Sequence, residues 1–352
     1  MTNFFVAALP EPTTGQSTAN KKIYSDLSKI RSITLIDTSP KISKKNINYH
    51  AARVISNIYA FIKILSSKNE STIYTVYESG LGIIYNHIIF FGAKIKKSKV
   101  ILHHHTSEHT INKSTKFKRL IKNRTSMLTH VFLSSSMMED FNKNYGHGNS
   151  IILNNASLIN YTPTKPRILT KNIIAIGYIS NITVEKGSKN ILKLIQSLVS
   201  SKISFEFVVA GPISDSDSEH YINLCSQIAG DKFKYIGKVS GKSKEDFFKS
   251  IDLLVFPTEY VYEAQPLIIL EAISRGIPSI TSKMGYTWET VPSNKFYCED
   301  IEDFNLTVLR VISSYEINKD NYYLDSEECI NFFTEMLTDS KNQFNELIKK
   351  FD

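Results

Sequence analysis

The sequence predicts an α/β protein made of two doubly wound parallel sheets in series. Three observations carry this prediction. Short runs rich in Ile, Val, Phe and Thr recur along the chain, and several are apolar throughout, as strands covered on both faces by helices are. Helix-length spacers separate the runs, which implies right-handed βαβ crossovers. The alternation breaks at "YTPTKPRILTK", where Pro163 and Pro166 mark a linker, and then restarts.

In the first half the strands are expected in "NFFVAALP", "SITLID", "STIYTVYES", "KVILHHH", "HVFLSSS" and "SIILNNA". In the second half they are expected in "NIIAIGYI", "SFEFVVAG", "KFKYIGKV", "DLLVFP" and "IPSITS". This gives a domain over 1–165, a second over 166–325, and a C-terminal helix over 326–352 with a charged outer face that packs back on the first domain. Ligands of doubly wound sheets lie beyond the C-terminal strand ends, so the cleft between the halves is the expected site.

Composition narrows the class. The chain has 352 residues, 42% hydrophobic and 22% charged, enough to bury two ordinary cores. The opening "MTNFFVAALPEP" lacks the pattern of a signal peptide, and no run approaches the ~20 apolar residues of a membrane helix. A cytoplasmic protein is expected. Cys225, Cys298 and Cys329 are odd in number and far apart, which fits reduced thiols better than a disulfide framework or metal site.

The formal net charge of +8 suits an anionic partner. Lys113, Lys116, Lys118, Arg119, Lys122 and Arg124 surround Phe117, Leu120 and Ile121 in the segment 111–128. That pattern fits a helix lying on an anionic membrane, and equally a solvated helix face.

The richest segment is "VFPTEYVYEAQPLIILEAISRGIPSITS". A strand ends at Pro257, a polar loop follows, and a helix opens near Pro266, a residue suited to the first helical position. Glu271 is the one charge in the apolar run from Leu267 to Ile273, and a buried carboxylate requires a partner. Sugar or ribose hydroxyls would serve; so would Arg275, four residues on. Glu263 lies in the preceding loop, and the amides of Ala264, Gln265 and Leu267 lie at a helix N-terminus that favours phosphate. In "NIIAIGYISNITVEKGSKNILKLI" a strand leads to Lys186-Gly187 and then a helix, a plausible clamp for a diphosphate.

Two Glu separated by seven residues, after a strand ending in Phe-Pro and before "EAISRGIPSITS", resemble the signature of the retaining glycosyltransferases of family 4, whose fold is GT-B. The resemblance implies two Rossmann-like domains, a nucleoside diphosphate sugar as donor and no metal ion or other cofactor. It places Glu271 at the nucleotide ribose, Glu263 and the backbone after it at the donor sugar, and Lys186 at the leaving diphosphate. The family's Gly-Phe-Gly after the first Glu is replaced by Ala264 and Gln265, so sugar choice does not carry over. Tyr178, Ser180 and Asn181 fill the region where many members carry an Arg, with Asn181 the donor-side candidate there.

"LPEPTTGQSTAN" resembles the family's glycine-containing loop facing donor and acceptor, with Gly15 remaining of the usual pair. In "VILHHHTSEHT" a strand would turn His103 and His105 one way and His104 the other. The family's sugar-pocket His matches His105 best and His104 next. A zinc site there needs further ligands, and only His109 lies near in sequence. "GKVSGKS" has three residues between its glycines rather than the four of a phosphate-binding P-loop.

The resemblance implies sugar transfer to a saccharide or lipid-linked acceptor, in synthesis of a bacterial surface polysaccharide or lipopolysaccharide. The departures from the family pattern leave a second reading, a non-catalytic GT-B subunit that stabilises a partner transferase. A sugar nucleotide epimerase lacks placeable acid–base carboxylates, and a nucleic-acid binder would not account for the Glu pair.

Overall fold

The structure, a computed structural model, describes residues 2–42, 47–67, 71–122, 127–201 and 203–352. It divides into two compact units, Met1–Leu158 with Thr338–Asp352, and Ile159–Leu337.

The first unit runs β1 (Asn3–Ala7), α1 (Gly15–Ser28), β2 (Ile33–Asp37), α2 (Ile47–Leu65), β3 (Thr72–Val76), α3 (Ile83–Ile95) and β4 (Lys99–His103). It continues through α4 (Glu108–Ile111), α5 (Thr115–Ile121), β5 (Leu128–Phe132), α6 (Ser135–Tyr145) and β6 (Asn149–Ile152). The strands form one parallel sheet in the order β2-β1-β3-β4-β5-β6. Local chemistry sets the helix starts. Thr14 and Ser17 form a capping box at α1, and the Ser134 hydroxyl accepts from the Met137 amide at α6. The core stacks Phe5 on Tyr74, ring centroids 4.4 Å apart, with Ile101 and Val131 alongside.

The second unit runs β7 (Ile174–Ile179), α7 (Ser188–Ser200), β8 (Phe205–Ala210), α8 (Ser216–Ala229), β9 (Phe233–Tyr235) and α9 (Lys242–Ser250). Next come β10 (Leu253–Phe256), α10 (Leu267–Ile273), β11 (Ser279–Ser282), β12 (Tyr297–Cys298) and α11 (Phe304–Ile317). The order is β12-β11-β10-β7-β8-β9, again all parallel. Strand order reverses between β7 and β10, so the loops after these two strands flank the switch point where such sheets bind ligands. The predicted strands are all present. β12 has only two residues, too short to leave a pattern in the sequence.

The helix α12 (Asp320–Lys349) begins in the second unit, and its last turns belong to the first. There Leu347 and Phe351 are buried with Phe5 and Tyr74. No helix among the described residues is long and apolar enough to cross a membrane.

The segment 111–128 does not form the long amphipathic helix its charges suggest. α5 ends at Ile121, residues 123–126, Arg124 among them, lie outside the described residues, and Leu128 already starts β5. Phe117 and Leu120 point inward and are buried, Phe117 against Tyr77, His109, Phe141 and Tyr145. Two of the three apolar residues within the basic cluster are therefore used by the core, while Lys113, Lys116, Lys118, Arg119 and Lys122 face water together with Ile111 at its start.

Candidate functional site

The loop after β7 and the loop after β10 meet at the switch point. Lys186 Nζ donates to Glu263 Oε2 and lies 4.6 Å from the centre of the Tyr260 ring. Both side chains keep partial access to solvent. The Lys186 loop is tied down from below. The buried Tyr178 hydroxyl donates to the Lys186 carbonyl at 2.9 Å and lies 2.7 Å from Ser180 Oγ, and the Lys186 amide donates to Thr183 Oγ1 at 3.1 Å. Burial pushes the Tyr178 phenol up, so it stays a neutral donor.

Glycine is required at two points of this frame. Gly187, with φ +100°, caps α7, and a Cβ there would lie 2.2 Å from the Pro257 carbonyl oxygen. Gly285, with φ +56°, would bring a Cβ to 2.0 Å from the Glu263 carbonyl oxygen, which the Tyr286 amide holds at 3.0 Å. Backbone contact thus locks the Lys186 turn onto the end of β10 and fixes the Glu263 loop from its other side. Asn190 adds side-chain bonds to the Pro257 carbonyl at 3.2 Å and to Glu259 Oε1 at 2.6 Å.

The helix α10 starts at Leu267, with Pro266 at its N-cap rather than one position inside. Ala264 and Gln265 are buried, while Leu267 and Glu271 are half-buried. Glu271 is paired, but not with Arg275. Lys244 of α9 is 2.7 Å from Oε1 and 2.5 Å from Oε2, the second contact lying off the hydrogen-bonding direction. Arg275 turns away: it donates to the Glu271 backbone carbonyl at 2.6 Å and to Glu245 Oε1 at 2.6 Å, stacked 4.6 Å over Phe248. A residue on one turn of helix past a carboxylate reaches the backbone as readily as the side chain. Lys244 leaves no signal in the sequence, because it lies 27 positions from Glu271 and only the packing of α9 brings it near. Asn181 is exposed at the start of the Lys186 loop.

Gly15 and His105 belong to the first unit. Gly15 is the first residue of α1, and a Cβ there would meet open space, so the backbone does not require glycine. His103 and His105 face the same way, rings 4.0 Å apart, with His103 Nδ1 2.5 Å from the Tyr74 hydroxyl. His105 keeps part of its surface open, yet its surroundings push its pKa down to about 4 by desolvation, so it is neutral at physiological pH. His104, the runner-up for a sugar contact, is fully buried. It stacks on Phe132 at 4.7 Å, and its Nε2 is 2.9 Å from His130 Nδ1. It is a core residue because the alternation of the strand turns it away from the His103 and His105 face. No group of three or more His, Cys, Asp or Glu among the described residues is arranged to hold a metal ion. The three cysteines are free and buried.

Residues 164–323 match the family model Glycosyl transferases group 1. The matched segment lies within the second unit and covers less than half of the chain. A curated relative is an uncharacterized glycosyltransferase, MJ1607, of Methanocaldococcus jannaschii. It is 27% identical over 118 residues, which span 33% of this chain and 29% of the relative. Among solved structures, HepE of Anabaena in complex with UDP superposes with a TM-score of 0.71 at 13% identity, covering 99% of both chains. A glycosyltransferase from Rickettsia africae gives 0.70 at 15% identity, again over 99% of both chains. TarM gives 0.62 at 16% identity, over 83% of this chain and 58% of TarM. The fold is that of the GT-B glycosyltransferases.

Proposed function

We propose that the chain is a retaining family 4 glycosyltransferase that takes a nucleoside diphosphate sugar, with a uridine nucleotide the first candidate. The observation that carries this reading is the meeting of Lys186 and Glu263 at the switch point of a group 1 domain, with Glu271 on the helix that follows. Solved relatives of the same fold hold UDP and UDP-glucose, which supports uridine.

In this reading Glu271 accepts the ribose hydroxyls and Asn181 lines the donor entrance. As the sugar C1–O bond breaks, negative charge grows on the diphosphate. Lys186, the loop amides of Ala264 and Gln265 and the first helical amide of α10 at Leu267 stabilise that charge. Glu263 holds both the sugar and the Lys186 ammonium. The departing diphosphate oxygen collects the acceptor proton, so no nucleophilic carboxylate is needed, and the lysine and amides serve in place of a metal ion. Gly15 and His105 are the first unit's contributions to substrate contact. The acceptor is a saccharide or lipid-linked saccharide, as in bacterial surface polysaccharide or lipopolysaccharide synthesis on the cytoplasmic side of the membrane.

Ser180 and Asn181, where many family members have an Arg, favour one other reading, a non-catalytic GT-B subunit. Calorimetric titration with UDP, GDP and ADP, without added metal, separates the two. Micromolar binding of one nucleotide, lost in Glu271→Ala, supports the transferase. Absence of binding by all three favours the subunit.

A further inference from the structure

The helices α2 and α3 of the first unit present their apolar residues to solvent. In α2 the buried positions are Arg53, Asn57, Ala60 and Ile64, two of them polar. Ile55, Ile58, Tyr59 and Ile62 recur at helical spacing on the outer face, with Ile55 68% and Ile62 56% exposed. α3 repeats this with Ile84, Phe91 and Ile95 exposed and Ile88 half-buried between them. The polarity of α2 is thus inverted. Its inward Arg53 is stabilised by Glu78 at 2.7 Å and by the Tyr85 ring 4.8 Å away, which leaves the isoleucines outside.

The two stripes join into one surface. α2 connects β2 to β3 and α3 connects β3 to β4, steps in the same direction across one parallel sheet. Right-handed crossovers place both helices on the same side and run them in the same direction. They pack through Gly92, where a Cβ would meet Phe61 at 2.9 Å, and Phe61 stacks on Phe91 with centroids 5.8 Å apart. An exposed apolar area of this kind marks an interaction surface.

Charge identifies the occupant. Lys63, Lys94, Lys96, Lys97 and Lys99 lie at or just beyond the C-terminal ends of the two helices. Among the described residues of 47–67 and 71–99 the only acidic side chain is Glu78, which is engaged by Arg53. Among the described residues, a second copy of the chain would therefore bring no free carboxylate on this face to meet the lysines. An apolar plane with a cationic edge fits a bilayer, in which isoleucine and phenylalanine enter the acyl boundary and lysines reach phosphate headgroups.

We propose that the α2–α3 face docks the protein on an anionic lipid surface, the role that the 111–128 segment cannot fill with Phe117 and Leu120 buried. Vesicle flotation of the full chain tests this, with phosphatidylglycerol–phosphatidylcholine vesicles against phosphatidylcholine alone. The expected result is binding to the anionic vesicles, weakened about fivefold for each lysine removed. Ile58→Ser with Ile62→Ser, and separately Lys94→Glu with Lys97→Glu, should each abolish it. Both pairs lie on the surface, so melting temperature should hold. Failure to bind anionic vesicles at low salt, equal binding to both vesicle types, or binding retained by both variants overturns the proposal. So does a dimer that the isoleucine variant dissolves in the absence of vesicle binding, which would assign the face to a second copy. The nucleotide titration does not enter this result, so the docking and donor readings fail separately.

Discussion

Lys244 on α9 holds the carboxylate of Glu271 on α10, with its Nζ 2.7 Å from Oε1. The pair joins two helices through residues 27 positions apart in the chain, and it orients the one carboxylate of α10. Both side chains are partly open to solvent, so the pair contributes little to stability, about 1 kcal/mol or less. Its effect is on position. Lys244→Met should therefore leave urea unfolding nearly unchanged while weakening uridine nucleotide binding several-fold. Glu271→Ala, which removes the acceptor itself, should weaken it on the order of 10- to 100-fold. Equal nucleotide affinity in the wild type and Glu271→Ala would remove Glu271 from the ribose.

The contact between Lys186 and Glu263 gives a second prediction. If Lys186 stabilises the leaving diphosphate, Lys186→Ala should lower kcat by roughly 10²- to 10³-fold, with a smaller change in donor KM. Glu263→Gln keeps the shape of the side chain but loosens the lysine. It should fall between wild type and Lys186→Ala. Turnover measured with the donor that titration identifies would check the order, and a Glu263→Gln loss larger than that of Lys186→Ala would mean that the carboxylate has a role beyond holding the lysine.

Much of this site was legible because each of its loops follows a strand with a clear apolar run. "NIIAIGYI" and "DLLVFP" announced β7 and β10, and their adjacency follows once two doubly wound sheets are accepted. The partner of Glu271 was not legible, because helical spacing nominates Arg275 while only the packing of α9 on the sheet brings Lys244 near. The exposure of the α2 isoleucines was hidden for a related reason. Periodicity shows that Ile55, Ile58, Tyr59 and Ile62 share a face but not whether that face meets the sheet. The pair of buried Arg53 and half-buried Glu78, which decides the matter, joins residues that no local pattern connects.

Two glycines that the sequence treats alike should respond differently to alanine. Gly187 has φ +100° and no room for a Cβ beside Pro257, so Gly187→Ala should destabilise the chain by roughly 2–4 kcal/mol. Gly15 opens α1 with open space around it. Gly15→Ala should leave stability unchanged or raise it by up to about 1 kcal/mol, since alanine is the better helix former. Urea unfolding monitors both. A loss of turnover in Gly15→Ala at full stability would place that position at the substrate rather than in the frame.

The buried histidines of the first unit make its stability depend on pH. Burial holds His104 and His109 well below the ordinary imidazole range and pushes His130 down to about 3. In the unfolded chain each titrates near ~6.5. Below that pH the unfolded state binds protons that the folded state refuses, so stability is complete above about 6.5 and declines as pH falls toward 3. The slope reaches about 1.4 kcal/mol per pH unit for each histidine. The interval from about 6.5 to 4.5 isolates this effect from the carboxylates, which titrate lower. His109 is the informative position. Its ring lies 4.0 Å from Tyr77, 4.5 Å from Phe117 and 4.6 Å from His104, and neither ring nitrogen has a hydrogen-bond partner among the described residues. His109→Phe removes two unsatisfied buried nitrogens from an aromatic cluster, so it should match or exceed wild-type stability at pH 7. It should also remove one proton from the difference between the two states, and the loss between pH 6.5 and 4.5 should become shallower by about one histidine's share. Urea unfolding across that range reads the slope directly. A His109→Phe slope as steep as that of the wild type would mean that His109 already takes up its proton in the folded state, and the cluster would then be open to water.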